Sequence, residues 1–174
     1  MKNFIIFRTD RLGDFIIISS IIKAIKDKYK DARISIVCSS ANYDFIKKYK
    51  IIDKIYIYNK NISIFKKIAY LLEIISIKYY ATFVFDGKSF SNYCNIFINS
   101  KYKLGLIYRY KFFNIWLTKP NFLYNFFFFD KFETFTSKKN LFKIEHLPQK
   151  LISLANFLNL KISVKDKYYF DVDT

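Results

Sequence analysis

Residues 3–29 read NFIIFRTDRLGDFIIISSIIKAIKDKY, and the change of rhythm inside this stretch decides the fold. Asn3 to Phe7 is a short continuous apolar run, the pattern of a strand buried on both faces. A turn-like stretch ending in Gly13-Asp14 follows. From Phe15 to Tyr29 the apolar residues Ile18, Ile21, Ile22 and Ile25 recur at helical spacing, with Lys23, Lys26 and Lys28 on the other side. The order is strand, loop, helix.

The unit then repeats in type along the chain. Arg33 to Cys38 reads as a strand, Ala41 to Lys48 as a short helix and Lys54 to Tyr58 as a strand. Asn61 to Tyr79 reads as a long helix, Ala81 to Phe85 as a buried strand, Ser89 to Asn99 as a helix and Tyr102 to Leu106 as a strand. An additional strand is expected over Phe112 to Leu117, before Lys119-Pro120. The stretch 121–142 mixes a Phe-rich run, Phe126 to Phe129, with Ser and Lys, and reads as an insertion or hairpin. Glu145 to Asn159 restores helical spacing through Leu147, Leu151, Leu154, Ala155 and Leu158. Strands alternating with helices imply parallel pairing through crossovers, hence an α/β fold: a Rossmann-like open parallel sheet with helices on both faces. At 174 residues the chain is expected to form a single domain, 1–174, and its 52% hydrophobic content suffices for a real core.

The formal net charge is +16, which attracts anionic partners: nucleic acid, an acidic membrane surface or a phosphorylated substrate. Charge alone does not choose among them, and no RNA- or DNA-binding motif supports a nucleic-acid role. Cys38 and Cys94 lie far apart without CxxC spacing or neighbouring ligands, so no metal site is expected, and buried free thiols are the simpler reading. The apolar stretch before Arg8 is too short for a signal peptide, and no apolar run reaches the roughly 18 residues of a membrane-spanning helix. The expected location is the cytoplasm, either soluble or peripheral on the inner face of the cytoplasmic membrane. The Phe126 to Phe129 run and the Lys-flanked helix at 61–79 suit either contact with a membrane surface or core packing.

In an open α/β sheet ligands bind beyond the carboxyl ends of the strands, so the loop after the first strand is the first place to look. It reads Arg8-Thr9-Asp10-Arg11-Leu12-Gly13-Asp14. Arg occurs four times in this Lys-rich chain, and two of the four sit here beside carboxylates. Gly13 lets the backbone turn tightly, and Asp14 stands at a helix N-terminus, where negative charge is stabilised. That arrangement serves as a cap or as a base. With a single Gly, the loop fits neither the GxGxxG dinucleotide fingerprint nor the P-loop, and no cofactor is expected.

The stretch FIIFRTDRLGDFIIISSIIKAIKDKYKDARISIVCSSANYDFI, residues 4–46, resembles the opening of bacterial glycosyltransferases of family 9, which includes the ADP-heptose:lipopolysaccharide heptosyltransferases. Further matches fall in the right order. Phe83-Val84-Phe85-Asp86-Gly87 resembles the family's strand ending in an Asp-rich turn. Lys103-Leu104-Gly105-Leu106 resembles its Arg-Ile-Gly-Tyr segment, and Glu145-His146-Leu147 the start of its late helix. All three glycines of the chain, Gly13, Gly87 and Gly105, fall in such places.

The resemblance implies the N-terminal, acceptor-side lobe of a two-lobed GT-B enzyme. The C-terminal lobe, which holds the nucleotide-sugar, is expected to be absent from these 174 residues, so that turnover needs a separate partner lobe. It further implies transfer of a heptose or related sugar from a nucleotide-sugar, ADP-heptose for the named members, to a lipopolysaccharide-core or other surface-glycan acceptor. Asp14 takes the family's general-base role: an ionised carboxylate accepts the acceptor hydroxyl's proton as the anomeric carbon is attacked, with inversion. Arg8 and Arg11 bind acceptor carboxylates or phosphates, or else form an internal salt bridge to Asp10 or Asp14. Asp10 orders the loop. Gly13, Lys88 and His146 are the remaining candidate acceptor contacts, while Arg109 and Lys111 add a basic patch near the same edge. A non-catalytic α/β module for acceptor binding or scaffolding, with Asp14 as a helix cap only, is the alternative.

Overall fold

The computed structural model describes residues 1–10, 12–59, 61–112, 115–119, 122–136 and 147–162. Strand β1 (Asn3–Arg8) leads into α1 (Leu12–Lys28), then β2 (Arg33–Ser39), α2 (Ser40–Ile46), β3 (Lys54–Tyr58), α3 (Ile64–Ile75), β4 (Tyr79–Val84) and α4 (Ser89–Phe97). The chain continues through β5 (Ser100–Phe112), β6 (Ile115–Lys119), α5 (Phe122–Phe128), β7 (Lys131–Thr136) and α6 (Leu147–Phe157). The α/β class and open sheet expected from the alternating pattern are those observed.

The strands form one sheet in the order β3-β2-β1-β4-β5, with β6 and β7 both paired to β5. Every pairing is parallel except β5 with β6. The antiparallel exception follows from chain length, because Phe112 and Ile115 are too close in sequence for a parallel crossover to fit between them. Leu104 pairs with both Phe83 and Lys131, and Tyr108 with both Lys119 and Phe135, so β7 takes the free edge of β5 while β6 continues the β4 edge.

Phe4, Ile5, Ile6 and Phe7 are all fully buried because β1 is central and both its faces are covered. Their alternation divides the core in two. Phe4 and Ile6 point to one side with Ile34, Ile36, Ala81, Phe83 and Leu104, where α1 lays down Phe15, Ile18, Ile21, Ile22 and Ile25 and α6 adds Leu151, Leu154 and Leu158. Ile5 and Phe7 point to the other side with Val37, Tyr56, Tyr79 and Val84, covered by Ile74 of α3, Cys94 of α4 and Phe129 after α5. Burying an aliphatic or aromatic side chain of this size contributes about 2 kcal/mol, so the five α1 residues anchor that helix firmly. Both cysteines are free and buried, and desolvation pushes each thiol up to about 12, which leaves them as packing residues.

Three expectations are corrected. Gly13-Asp14 does not form a turn before the helix: α1 already begins at Leu12, and both residues lie in its first turn. The long helix over 61–79 is shorter, running from Ile64 to Ile75, because the Ser63 hydroxyl accepts from the Lys66 amide at its start and Tyr79 opens β4. The stretch 121–142 is not an inserted hairpin over its described part, 122–136. It forms α5 and then β7, whose Lys131 to Thr136 pair in parallel with Leu104 to Arg109. This unit is part of the sheet. Gly105 makes the packing possible, since a Cβ there would stand 2.6 Å from the Phe129 ring.

Candidate functional site

The chain leaves β1 for β2 on one side and reaches β4 on the other, so β1 and β4 are neighbours whose following connections diverge. Such a switch point opens a crevice at the carboxyl ends of the two strands. The two loops that line it, after Arg8 and after Val84, carry most of the polar residues singled out in the sequence.

Arg8 is fully buried and heads the large enclosed side chains among the described residues. Its guanidinium Nη1 donates to the Phe85 carbonyl and lies 3.4 Å from the Tyr108 hydroxyl, while Nη2 pairs with Asp14 Oδ1 at 3.0 Å. Asp10 Oδ2 stands 3.7 Å from Nη1. Of the two roles open to Arg8 in the sequence, the structure has the internal ion pair: a planar fork reaching a carbonyl and two carboxylates at once. Asp14 keeps 31% side-chain exposure, so the carboxylate held from inside by Arg8 also meets the crevice.

The second loop is organised by Asp86. Its Oδ2 accepts from the Thr9 amide at 3.3 Å, the Thr9 hydroxyl at 2.6 Å and the Ser91 hydroxyl at 2.8 Å, and its Oδ1 accepts from the Lys88 amide at 3.2 Å. This carboxylate ties the two loops together and, through Ser91, fixes the start of α4. Gly87 sits at φ 58°, in the left-handed region, which allows the chain to turn back beneath Asp86. The Lys88 ammonium then bridges the crevice, donating to the Thr9 carbonyl at 2.8 Å and pairing with Asp10 Oδ1 at 3.2 Å, and it stays 36% exposed.

Asp10 thus lies between two cations, yet burial is the larger influence and raises its carboxyl above the usual range, with Arg8 pulling it down, Asp86 pushing it up and Lys88 pulling it down. Its carbonyl accepts from the Asn42 side chain at 2.6 Å, which joins α2 to the same loop. Burial likewise raises the Tyr108 hydroxyl, and this group donates to the Phe85 carbonyl at 3.1 Å.

Of the candidates, Arg8, Asp14 and Lys88 are therefore joined with the loop-ordering Asp10 in one ion-pair network at the carboxyl ends of β1 and β4, with Gly13 next to Asp14 in the first turn of α1. Gly13 does not adopt a positive φ, and nothing lies within 4 Å of where its Cβ would be. Its want of a side chain leaves the first turn of α1 open to approach rather than permitting a turn. Arg11 and His146 lie outside the described residues, as does the side chain of Lys111. Arg109 is exposed on the extension of β5. Sequence reasoning missed Tyr108 and Asn42. Tyr108 would have been found had β5 been read to its full 13 residues, whereas nothing in the local sequence marks Asn42. Among the described residues no helix is long and apolar enough to cross a membrane.

No protein-family profile and no curated protein sequence matches the chain. Solved structures do. A glycosyl transferase family 9 protein from Veillonella parvula matches with a TM-score of 0.70 at 14% identity, over 99% of this chain and 46% of that one. E. coli heptosyltransferase WaaC, solved with ADP, matches with a TM-score of 0.65 at 12% identity, over 93% of this chain and 49% of that one. E. coli ADP-heptose lps heptosyltransferase II matches with a TM-score of 0.59 at 12% identity, over 89% of this chain and 40% of that one. The chain has the fold of about half of these glycosyltransferases and spans about half their length.

Proposed function

We propose that the chain is the N-terminal, acceptor-side lobe of a glycosyltransferase that moves a heptose or related sugar from a nucleotide-sugar to a lipopolysaccharide-core or other surface-glycan acceptor. The observation that carries this reading is Asp14: a carboxylate gripped from inside by the buried Arg8 at 3.0 Å, yet 31% exposed at the crevice of a fold shared with solved glycosyltransferases.

In the proposed reaction the acceptor hydroxyl gives its proton to the Asp14 carboxylate as its oxygen attacks the anomeric carbon. The bond from that carbon to the nucleotide diphosphate breaks, the diphosphate leaves with the electron pair, and the configuration inverts. Arg8 acts as a positioning residue, since its donors are turned inward and orient Asp14. The open first turn at Gly13 gives the acceptor room beside the base. Lys88, Arg11 and His146 are the proposed acceptor contacts, suited to phosphate or carboxylate groups. The donor, ADP-heptose or a related nucleotide-sugar, belongs to a second lobe and implies work in the cytoplasm.

The test is ADP-heptose-dependent transfer to a lipid A-core acceptor, by the chain alone and together with a nucleotide-sugar lobe, each with Asp14 and with Asp14→Ala. Turnover only in the combined form, at least about 100-fold lower in the variant with acceptor binding retained, is expected from loss of a general base. A combined form that binds acceptor without turnover would instead make the chain a non-catalytic acceptor-binding module with Asp14 as a helix cap.

A further inference from the structure

The two helical layers differ in what they show to solvent. Among the described residues, the exposed large apolar side chains of α1, α2 and α6 are Leu12 and Phe157, at 38% and 42%. On the other side Ile64, Phe65 and Leu72 of α3, Phe97 of α4, and Phe126 and Phe127 of α5 all stand out, with Phe65 at 80% and Phe127 at 72%. The three helices are contiguous. The Tyr124 hydroxyl of α5 donates to the Asn92 carbonyl of α4 at 2.5 Å, the Asn95 side chain of α4 donates to the Phe128 carbonyl at 3.0 Å, and α3 packs beside α4. Helix α3 packs Tyr70, Leu71, Ile74 and Ile75 against the core, yet beside its charged Lys66, Lys67 and Glu73 it still shows Ile64, Phe65, Ile68 and Leu72 to solvent. Apolar side chains gathered on the exposed side of neighbouring helices mark an interaction surface.

We propose that the α3–α4–α5 layer is a docking surface for an anionic lipid bilayer. Charge selects the occupant. The three helices read IFKKIAYLLEII, SFSNYCNIF and FLYNFFF, and their one carboxylate, Glu73, is paired with Lys54. Lys66 and Lys67 lie in the first turn of α3 beside Ile64 and Phe65, within a chain of net charge +16. A second copy laid against this layer would set like charges face to face with no free carboxylate on these helices to pair them, whereas anionic headgroups supply the missing charge. Shape agrees, because aromatic and aliphatic side chains exposed to this degree are knobs rather than the walls of a groove. Fluid acyl chains receive knobs without a matching surface.

The layer also adjoins the crevice. Both α3 and α4 start at the carboxyl edge of the sheet, the Lys67 ammonium lies 5.9 Å from the centre of the Tyr58 ring, and Tyr58 stacks on Phe90 at 4.3 Å, two residues beyond Lys88. A bilayer on this face would bring its headgroups toward the proposed acceptor site, but docking itself does not depend on the transferase reading.

Co-sedimentation of the purified chain with vesicles of phosphatidylethanolamine and phosphatidylglycerol, and with vesicles of phosphatidylcholine alone, tests the inference. We expect binding to the anionic vesicles that weakens with salt, and a loss of at least about tenfold in the Phe65→Ser, Phe126→Ser, Phe127→Ser variant, since burying even one of the three rings in acyl chain accounts for about that factor. Phe157→Ser, on the opposite layer, leaves binding unchanged. Lys66→Glu with Lys67→Glu weakens it to a similar extent and reads the charge independently, should the triple variant melt early. Absence of binding to anionic vesicles, or equal binding by the folded triple variant, overturns the inference. So does a dimer on size exclusion that the triple variant abolishes, which would give this face to a second copy. The vesicles contain no glycan acceptor, so failure here is separate from failure of the transfer assay.

Discussion

Replacing Arg8 by Met removes the charge on which the crevice is built while nearly preserving side-chain volume. Arg8 is 0% exposed, and breaking a buried ion pair from one side costs about 3–5 kcal/mol, chiefly through the partner left unpaired. Three features place this site at the low end. Asp10 and Asp14 keep 23% and 31% side-chain exposure and can regain water, and Asp10 retains Lys88 at 3.2 Å. The Phe85 carbonyl keeps the Tyr108 hydroxyl at 3.1 Å. The Arg8 Nε, buried without a hydrogen-bond partner, is a donor whose removal is favourable. A loss of about 3 kcal/mol is expected, read as a lower urea midpoint at unchanged slope, or as a fall in Tm of about 6–12 °C for a domain of this size. Asp14→Asn in the Arg8→Met background should cost less than in the native protein, with a coupling of about 1–2 kcal/mol between residues in one network. A change below about 0.5 kcal/mol for Arg8→Met, or strict additivity in the cycle, would refute the view that Arg8 holds Asp14.

Gly105→Ala places a Cβ 2.6 Å from the Phe129 ring and is expected to destabilise by about 1–3 kcal/mol through overpacking; adding Phe129→Leu should return part of that loss in the same urea titration, and a Gly105→Ala protein as stable as the native one would show that β7 is not seated where described. Asp10→Asn tests the burial of that carboxyl. Because burial raises the Asp10 carboxyl, the folded protein holds this proton more tightly than the unfolded chain, and ionising it works against folding. The stability of the Asn variant relative to the native protein should therefore be highest at neutral pH and should decline as pH falls from the raised value toward the ordinary carboxylate value of about 3.9. Urea midpoints measured across that range showing the opposite trend would mean that attraction to Arg8 and Lys88 outweighs burial.

The elements whose periodicity is purely local were legible before the fold was known. Phe4 to Phe7 read as a doubly buried strand and Ile18 to Ile25 as an amphipathic face, since the same side chains that mark the rhythm are those the core takes up. The first turn of α1 misled because Gly beside Asp is a turn signal in isolation. Helix propagation backward to Leu12 overrides it. The far end of α3 misled for a related reason, as Ile77, Tyr79 and Tyr80 extend the large apolar and aromatic residues of the helix past its end, while the pairing of Tyr79 with Ser100 claims the last two for the sheet. Residues 122–136 were obscured because β7 has intermediate burial throughout, with no alternation to read.

What the sequence alone determined is what neighbouring residues impose on one another: the α/β order, the starts of β1, β2 and β3, and the concentration of Arg and Asp in residues 8–14. What only the tertiary structure decided is what distant residues do together. Arg8 could be a ligand for an incoming anion or a buried clamp for Asp14, and the choice depends on Phe85 and Tyr108, 77 and 100 residues away. That choice is a matter of desolvation. A guanidinium enclosed between β1, β4 and β5 must find its partners inside the protein, and no local pattern shows which strands will enclose it.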